Sequence, residues 1–338
     1  MAAQMQLHRS IYKALRGDKE SYYQTRLYYL VYVCNHHFSI PYGRPSMART
    51  DESIHAAQRF LKCKHSGEDD ARMISQVKLW SIATYVLDDF GFDVDRSVSQ
   101  DLIPNLRRFS IGLDTWRADW SESFSINAHV GDYPRKGVSL HYHFAKLYLC
   151  AHAFRGAPVS SHSAYQLSPE LEEVAQAALQ SAKAILRTII MDEEIQSHLN
   201  GLPLYFDTMI AFAAVFLLKV ATKFSATVRS DSNEILVLVG DMAHVLKKCT
   251  ARMHRQHLLV CIADGIAALL QKCKDATHVE HRQPSVTENL NQQQNMIVDH
   301  TDPISGGFDW TNYDFLLSSQ DAMPGFETWP MNFEFPAS

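Results

Sequence analysis

The segment 204-LYFDTMIAFAAVFLLKVATKF-224 decides the fold. Its charged side chains are Asp207, Lys219 and Lys223, and apolar residues fall on nearly every side of a helical projection. A helix that is apolar all round belongs inside a protein or a membrane. The longest uninterrupted apolar run, Met209 to Leu218, stops at Lys219 and is well short of the roughly 20 residues that cross a bilayer. The spacing therefore predicts a buried central helix of a bundle, with no membrane partner.

Other helices follow on both sides. From Glu20, the apolar positions Tyr23, Leu27, Leu30, Val31, Cys34 and Phe38 recur at helical spacing, so they are the expected inner face of a helix. It must end near Pro41, because proline disfavours helical geometry in the residue before it. Further helices are expected over 70–87, 99–120, 138–154, 169–190, 234–248 and 256–274, with 131–137 as a loop. The helix from Pro169 carries its own start signal. Ser168 can cap it, proline suits the first position, and Glu170, Glu172 and Glu173 complement the positive end of the helix dipole. No stretch alternates with period two for long, so the expected class is all-α, an irregular multi-helix bundle.

The charge distribution divides the chain. All eight acidic residues after Arg282 lack a basic counterpart, which leaves 32 Lys and Arg against 29 Asp and Glu before that point. No polybasic surface for nucleic acid results. From about residue 276 the sequence turns Asn/Gln-rich and is then punctuated by Pro and Gly. A disordered C-terminal tail, 276–338, is expected after a helical unit at 1–275. In the tail, Phe308, Trp310, Tyr313, Phe315, Leu316, Leu317, Phe326, Trp329 and Phe333 are interleaved with Asp309, Asp314, Asp321, Glu327 and Glu334. This acidic-hydrophobic alternation is typical of activation segments: repulsion keeps the chain solvated while the rings enter a partner's groove. Coactivator or mediator-type proteins are the expected partners.

Catalysis finds little support. Asp88-Asp89-Phe90-Gly91-Phe92-Asp93 has the D-D-x-x-x-D form that holds Mg²⁺ for a diphosphate in isoprenoid synthases. The second ligand set such an enzyme needs is missing downstream, so a solvent-facing acidic helix end is the preferred reading. His36-His37, His141-x-His143 and His254-x-x-His257 lack a carboxylate or thiolate at ligand spacing and read as packed or capping histidines. H-E-x-x-H, G-x-S-x-G, P-loop and G-x-G-x-x-G patterns are absent. The six cysteines form no C-x-x-C pair and read as small core residues in a reducing compartment. No cofactor or metal is expected. A non-catalytic small-molecule sensor built around the 204–224 helix is a second alternative.

The stretch Arg26-Leu-Tyr-Tyr-Leu-Val-Tyr-Val-Cys34-Asn35-His36-His37-Phe38-Ser39-Ile40-Pro41-Tyr42-Gly43-Arg44-Pro45 resembles the signature of the regulatory domain of fungal-specific zinc-cluster transcription factors. Leu7-His8-Arg9 and Leu140-His-Tyr-His-Phe-Ala-Lys146 fit as well, and the nearest subgroup is that of the secreted-protease activators and weak-acid-resistance regulators. The resemblance covers about residues 5–275. It implies a transcription regulator of RNA polymerase II genes in the nucleus, acting on secreted proteases or a biosynthetic gene cluster. Arg26, Asn35, Gly43, Arg44 and Pro45 are the signature positions, with Asn35 standing where the pattern carries an acidic residue. The family's zinc cluster needs six closely spaced cysteines, whereas those here spread from 34 to 273. DNA would be reached only through a missing zinc cluster or a partner, with a homodimer among the assemblies allowed. An amino-terminally truncated chain and a protein that has lost direct DNA binding are both compatible with this.

Overall fold

The computed structural model describes residues 7–40, 46–91, 93, 96–157 and 166–280, and of 276–280 the helix alone. Among the described residues there are twelve α-helices and no strand. They are α1 (Ile11–Ala14), α2 (Lys19–Ser39), α3 (Glu52–His55), α4 (Ala57–Phe60), α5 (Glu68–Phe90), α6 (Ile103–Ser121), α7 (Tyr133–Cys150), α8 (Pro169–Met191), α9 (Glu193–His198), α10 (Leu204–Lys219), α11 (Ser232–Thr250) and α12 (Leu258–Glu280). The class is all-α, as the periodicity requires. The last helix runs past residue 275 to Glu280. The tail residues Phe308 to Phe333 and the Gly43-Arg44-Pro45 signature lie outside the described residues.

The bundle is assembled by neighbours. α2 packs on α5, α5 on α6, α6 on α7 and α7 on α8, while α8, α11 and α12 enclose α10. Fourteen of the sixteen residues of α10 are buried. Its axis continues through Val220–Phe224 in a wider π-helical turn. Taken together the 21 residues are long and apolar enough to cross a bilayer, which the ten-residue run alone did not suggest, but 89% of the apolar window is buried within the protein.

Helix starts follow local chemistry. Asp18 accepts a 2.9 Å hydrogen bond from the Ser21 backbone at the head of α2. Asp51, Ser168, Asp192 and Asp231 cap α3, α8, α9 and α11 in the same way. α7 begins at Tyr133 rather than Val138, because Pro134 sits in the first turn, where its missing N–H costs nothing. The preceding corner needs Gly131. Its φ is +57°, and a Cβ there would stand 2.0 Å from the Glu194 carboxylate oxygen. That same oxygen accepts a 2.8 Å bond from the Asp132 N–H.

The inner face of α2 is the reverse of the periodicity expectation. Tyr23, Leu27, Leu30, Val31, Cys34 and Phe38 are exposed. Buried instead are Tyr22, Thr25, Tyr28, Tyr29, Tyr32, Val33 and His36. The cause is hydrogen bonding remote in sequence. The Tyr28 hydroxyl donates to Asp51 at 2.9 Å, Tyr29 to the Ser53 carbonyl at 2.9 Å, and Tyr32 meets the Thr50 hydroxyl at 3.0 Å. A buried tyrosine contributes a large apolar ring and has its polar tip satisfied, which outweighs burying smaller aliphatic chains.

α2 and α5 run parallel, pinned at both ends. Tyr22 donates to Asp70 at 2.7 Å at one end, and His36 meets the Thr84 hydroxyl at 2.9 Å at the other. Asp70 also accepts from the Gly67 N–H at 3.0 Å, capping α5, and pairs with Arg26 at 3.1 Å. We expect Tyr29→Ala to cost about 3–5 kcal/mol in denaturant unfolding of dilute protein. Tyr23→Ala should change stability by no more than about 0.5 kcal/mol.

Candidate functional site

Where α2, α5, α7 and α10 meet, four rings share one buried space. His37 comes from α2, Trp80 from α5, His141 from α7 and Tyr205 from α10. His37 stacks on Tyr205 with ring centroids 4.2 Å apart and planes 11° from parallel. His141 lies 5.6 Å from Tyr205 on a nearly parallel plane. Trp80 presents an edge to all three, at 5.6 Å, 6.3 Å and 5.3 Å. Phe144 and Phe206 close the sides.

The polar atoms of this cluster are only partly satisfied. The His37 Nε2 meets the Gln76 side-chain oxygen at 2.8 Å. The His141 Nδ1 donates to the Gly137 carbonyl at 2.6 Å, one turn back on α7. A carbonyl can only accept, so that bond fixes the proton on Nδ1 and leaves Nε2 as a lone pair. Burial pushes the His141 pKa down to about 4, so the ring is neutral. The Trp80 Nε1, the His141 Nε2 and the Tyr205 hydroxyl are all buried without a hydrogen-bond partner. They offer one donor, one acceptor and one group that is either. Such a set complements a water or a small uncharged polar molecule. It does not resemble a metal site, and among the described residues no group of three His, Cys, Asp or Glu could hold an ion.

Asp207, two residues along α10 from Tyr205, is 2% exposed, and one of its carboxylate oxygens has no partner. Burial alone pushes its pKa up to about 7. A carboxyl whose pKa is higher folded than unfolded favours folding in its protonated form. Its penalty is absent below about pH 4 and grows as the pH rises to about 7.

The other sequence candidates fall elsewhere. Arg26 and Asn35 both lie on α2 but serve different junctions. Arg26 pairs with Asp70, while the Asn35 side-chain oxygen accepts from the Ser46 hydroxyl at 2.6 Å and from the Ala48 N–H at 3.2 Å. Asn35 thus holds the chain returning after α2 with the carbonyl oxygen that a carboxylate would otherwise supply. The acidic run at the end of α5 does not converge on one point. Asp89 accepts from Asn105 at 2.9 Å and from Arg108 at 3.3 Å, tying α5 to α6, while Asp88 is exposed. His254 and His257 are caps, accepting from the Gln256 and Leu259 N–H groups at 3.2 Å and 3.1 Å.

The clustering of His37, Trp80, His141 and Tyr205 was not visible in the sequence. Two of these residues belong to histidine pairs that stood out by composition, but spacing alone could not show that α2 and α7 bring them within 6.4 Å.

Comparison with known proteins places the chain. A family model described as the middle domain of the transcriptional activator of proteases prtT matches residues 3–273. The transcriptional activator of proteases prtT of Emericella nidulans is 35% identical over 280 residues. The match takes in 80% of this chain and 42% of that relative, so the chain spans about two fifths of its length. No solved structure matches.

Asp207→Asn is expected to raise stability at pH 8 by roughly 2–4 kcal/mol and to have little effect at pH 4. Denaturant unfolding across that pH range would check it. A pH-independent effect would mean the carboxylate is satisfied in the folded state.

Proposed function

The chain belongs to the family of the middle domain of the transcriptional activator of proteases prtT, and on that footing we propose that it regulates transcription of RNA polymerase II genes, secreted proteases or a biosynthetic cluster among them, in the nucleus. The observation that carries this reading is the family match over residues 3–273. The helical unit is the regulatory part. The segment 283–338 recruits coactivator or mediator-type proteins through Phe308, Trp310, Tyr313, Phe315, Leu316, Leu317, Phe326, Trp329 and Phe333. Its composition supports that role, with eight acidic residues, no basic one, and aromatic rings spaced between the charges.

DNA is reached through a zinc cluster outside these residues or through a partner chain, and a second copy of this chain is one such partner. The reading involves no cofactor and no membrane. Catalysis is no part of it, because the family is one of transcriptional activators and Asp89 is engaged in holding two helices together.

A second reading is favoured by the unpartnered atoms of Trp80, His141 and Tyr205. The unit would sense a small uncharged polar molecule without transforming it. A ligand that binds only the folded state raises the melting temperature by mass action. In thermal-shift screening, a neutral ligand is expected to raise Tm for the wild type and to lose that effect in Tyr205→Phe. A shift that survives the substitution would place the ligand elsewhere.

For the activation role, residues 283–338 fused to a heterologous DNA-binding domain should drive a reporter. Changing Trp310, Phe315 and Trp329 to Ala should remove most of that activity. An inactive fusion, or one indifferent to the three substitutions, would defeat the proposal.

A further inference from the structure

The outer face of α2 is an apolar stripe. Tyr23, Leu27, Leu30, Val31 and Phe38 are between 41% and 55% exposed, and Cys34 is exposed beside them. On a helix of 3.6 residues per turn these six positions fall within an arc of roughly 100°. That is the width of a face that normally packs on another element. From Leu27 to Ser39 the helix carries no Asp, Glu, Lys or Arg. A four-turn surface face without a formal charge is unusual for a helix left in water.

The spacing of the stripe says what covers it. Tyr23 and Phe38 lie equally far from the midpoint between Leu30 and Val31. So do Leu27 and Cys34, and so do Leu30 and Val31 themselves. The stripe therefore maps onto itself when the helix is reversed end for end about that midpoint. A two-fold axis at that point lays two copies of α2 antiparallel, and an isologous contact of this kind needs a self-complementary patch. Tyr23 then faces Phe38 of the second copy, an aromatic pair. Leu27 faces Cys34, and Leu30 faces Val31.

The charges agree with this register. Beyond Lys19 and Glu20 at its start, the charged residue of α2 is Arg26, which this register sets beside Asn35 of the second copy. No like charges meet.

We propose that this chain self-associates through an antiparallel α2–α2 contact centred between Leu30 and Val31. The proposal names the surface of the second-copy contact stated above and rests on that reading. Half-exposed side chains of this size would bury on the order of 500 Å² per copy, about 1,000 Å² in total, which is the lower limit of a specific interface. The association is accordingly weak, with a Kd in the region of 10–100 µM.

The test uses the full 338-residue chain. Sedimentation velocity should show a monomer–dimer equilibrium that Leu30→Glu weakens at least about tenfold, because the substitution sets two carboxylates side by side at the axis. Leu30 is exposed, so circular dichroism of the variant should match the wild type. Register is tested by cross-linking in a Cys34→Ser background. Leu30→Cys should form an interchain disulfide readily. Tyr23→Cys should not, because the two copies of position 23 would lie about 22 Å apart along the axis. It should do so only when mixed with Phe38→Cys. A dimer indifferent to Leu30→Glu, or Tyr23→Cys linking to itself as fast as Leu30→Cys, would overturn the surface and leave self-association standing. A chain that stays monomeric at high concentration would overturn both, whether the stripe is covered by its own tail or by another protein.

Discussion

A helix buried on every side has to be enclosed, and the enclosure of α10 is the constraint on which the rest of this structure depends. Side chains from Tyr205 to Leu218 are withdrawn from water all round the helix. Full burial of a large apolar side chain stabilises by about 1.5–3 kcal/mol, so the gain is realised only if neighbours occupy every direction. α7, α8, α11 and α12 do so. Their own amphipathic character follows from that duty, with one side towards α10 and its neighbours and the other in water. Lys183 of α8 shows the tightness of the fit. Its side chain is 7% exposed and reaches Glu234 of α11 at 2.6 Å, so the charge entering the interface meets its partner at the rim.

The amino-terminal part is organised by a different principle. α2 is held by hydroxyl groups and one carboxylate. Asp70 serves Tyr22, Arg26 and the first turn of α5 at once. A carboxylate 2% exposed is tolerated because donors and a guanidinium surround it. The contrast with Asp207 is instructive. That carboxyl is equally buried, yet nothing is in place to favour its charged form, and its pKa rises. Two buried acids in one chain thus differ in character because of what the neighbouring helices bring to them.

Geometry also separates the histidines. His36 and His141 each bond the carbonyl four residues back, which is a local consequence of sitting in a helix with a buried ring. His141 differs in what lies beyond its second nitrogen, a closed aromatic space shared with Trp80 and Tyr205. Unpaired polar atoms in such a place are costly, and their association with the central helix makes this the part of the bundle most able to couple occupancy to packing.

Much was legible in the chain itself. The all-round apolar character of 204–224 required a core helix, and Ser168 with Pro169 marked the head of α8. The Asn/Gln-rich shift after residue 276 and the tail's charge balance are statements about composition that need no coordinates. These features are local, because periodicity, caps and proline positions act within a few residues along one strand of chain. What the tertiary structure decided was which face of α2 turns inward. Both faces carry enough carbon to be buried, so hydrophobicity could not choose between them. The choice fell to Asp51, Ser53, Thr50 and Asp70, which supply partners for tyrosine hydroxyls from 18 to 48 residues away. The short helices α1, α3, α4 and α9 escaped the periodicity for the same reason, being too brief to show a repeat and fixed by what they pack against. The meeting of His37, Trp80, His141 and Tyr205 likewise depends on how four helices are arranged, and no spacing within any one of them records it.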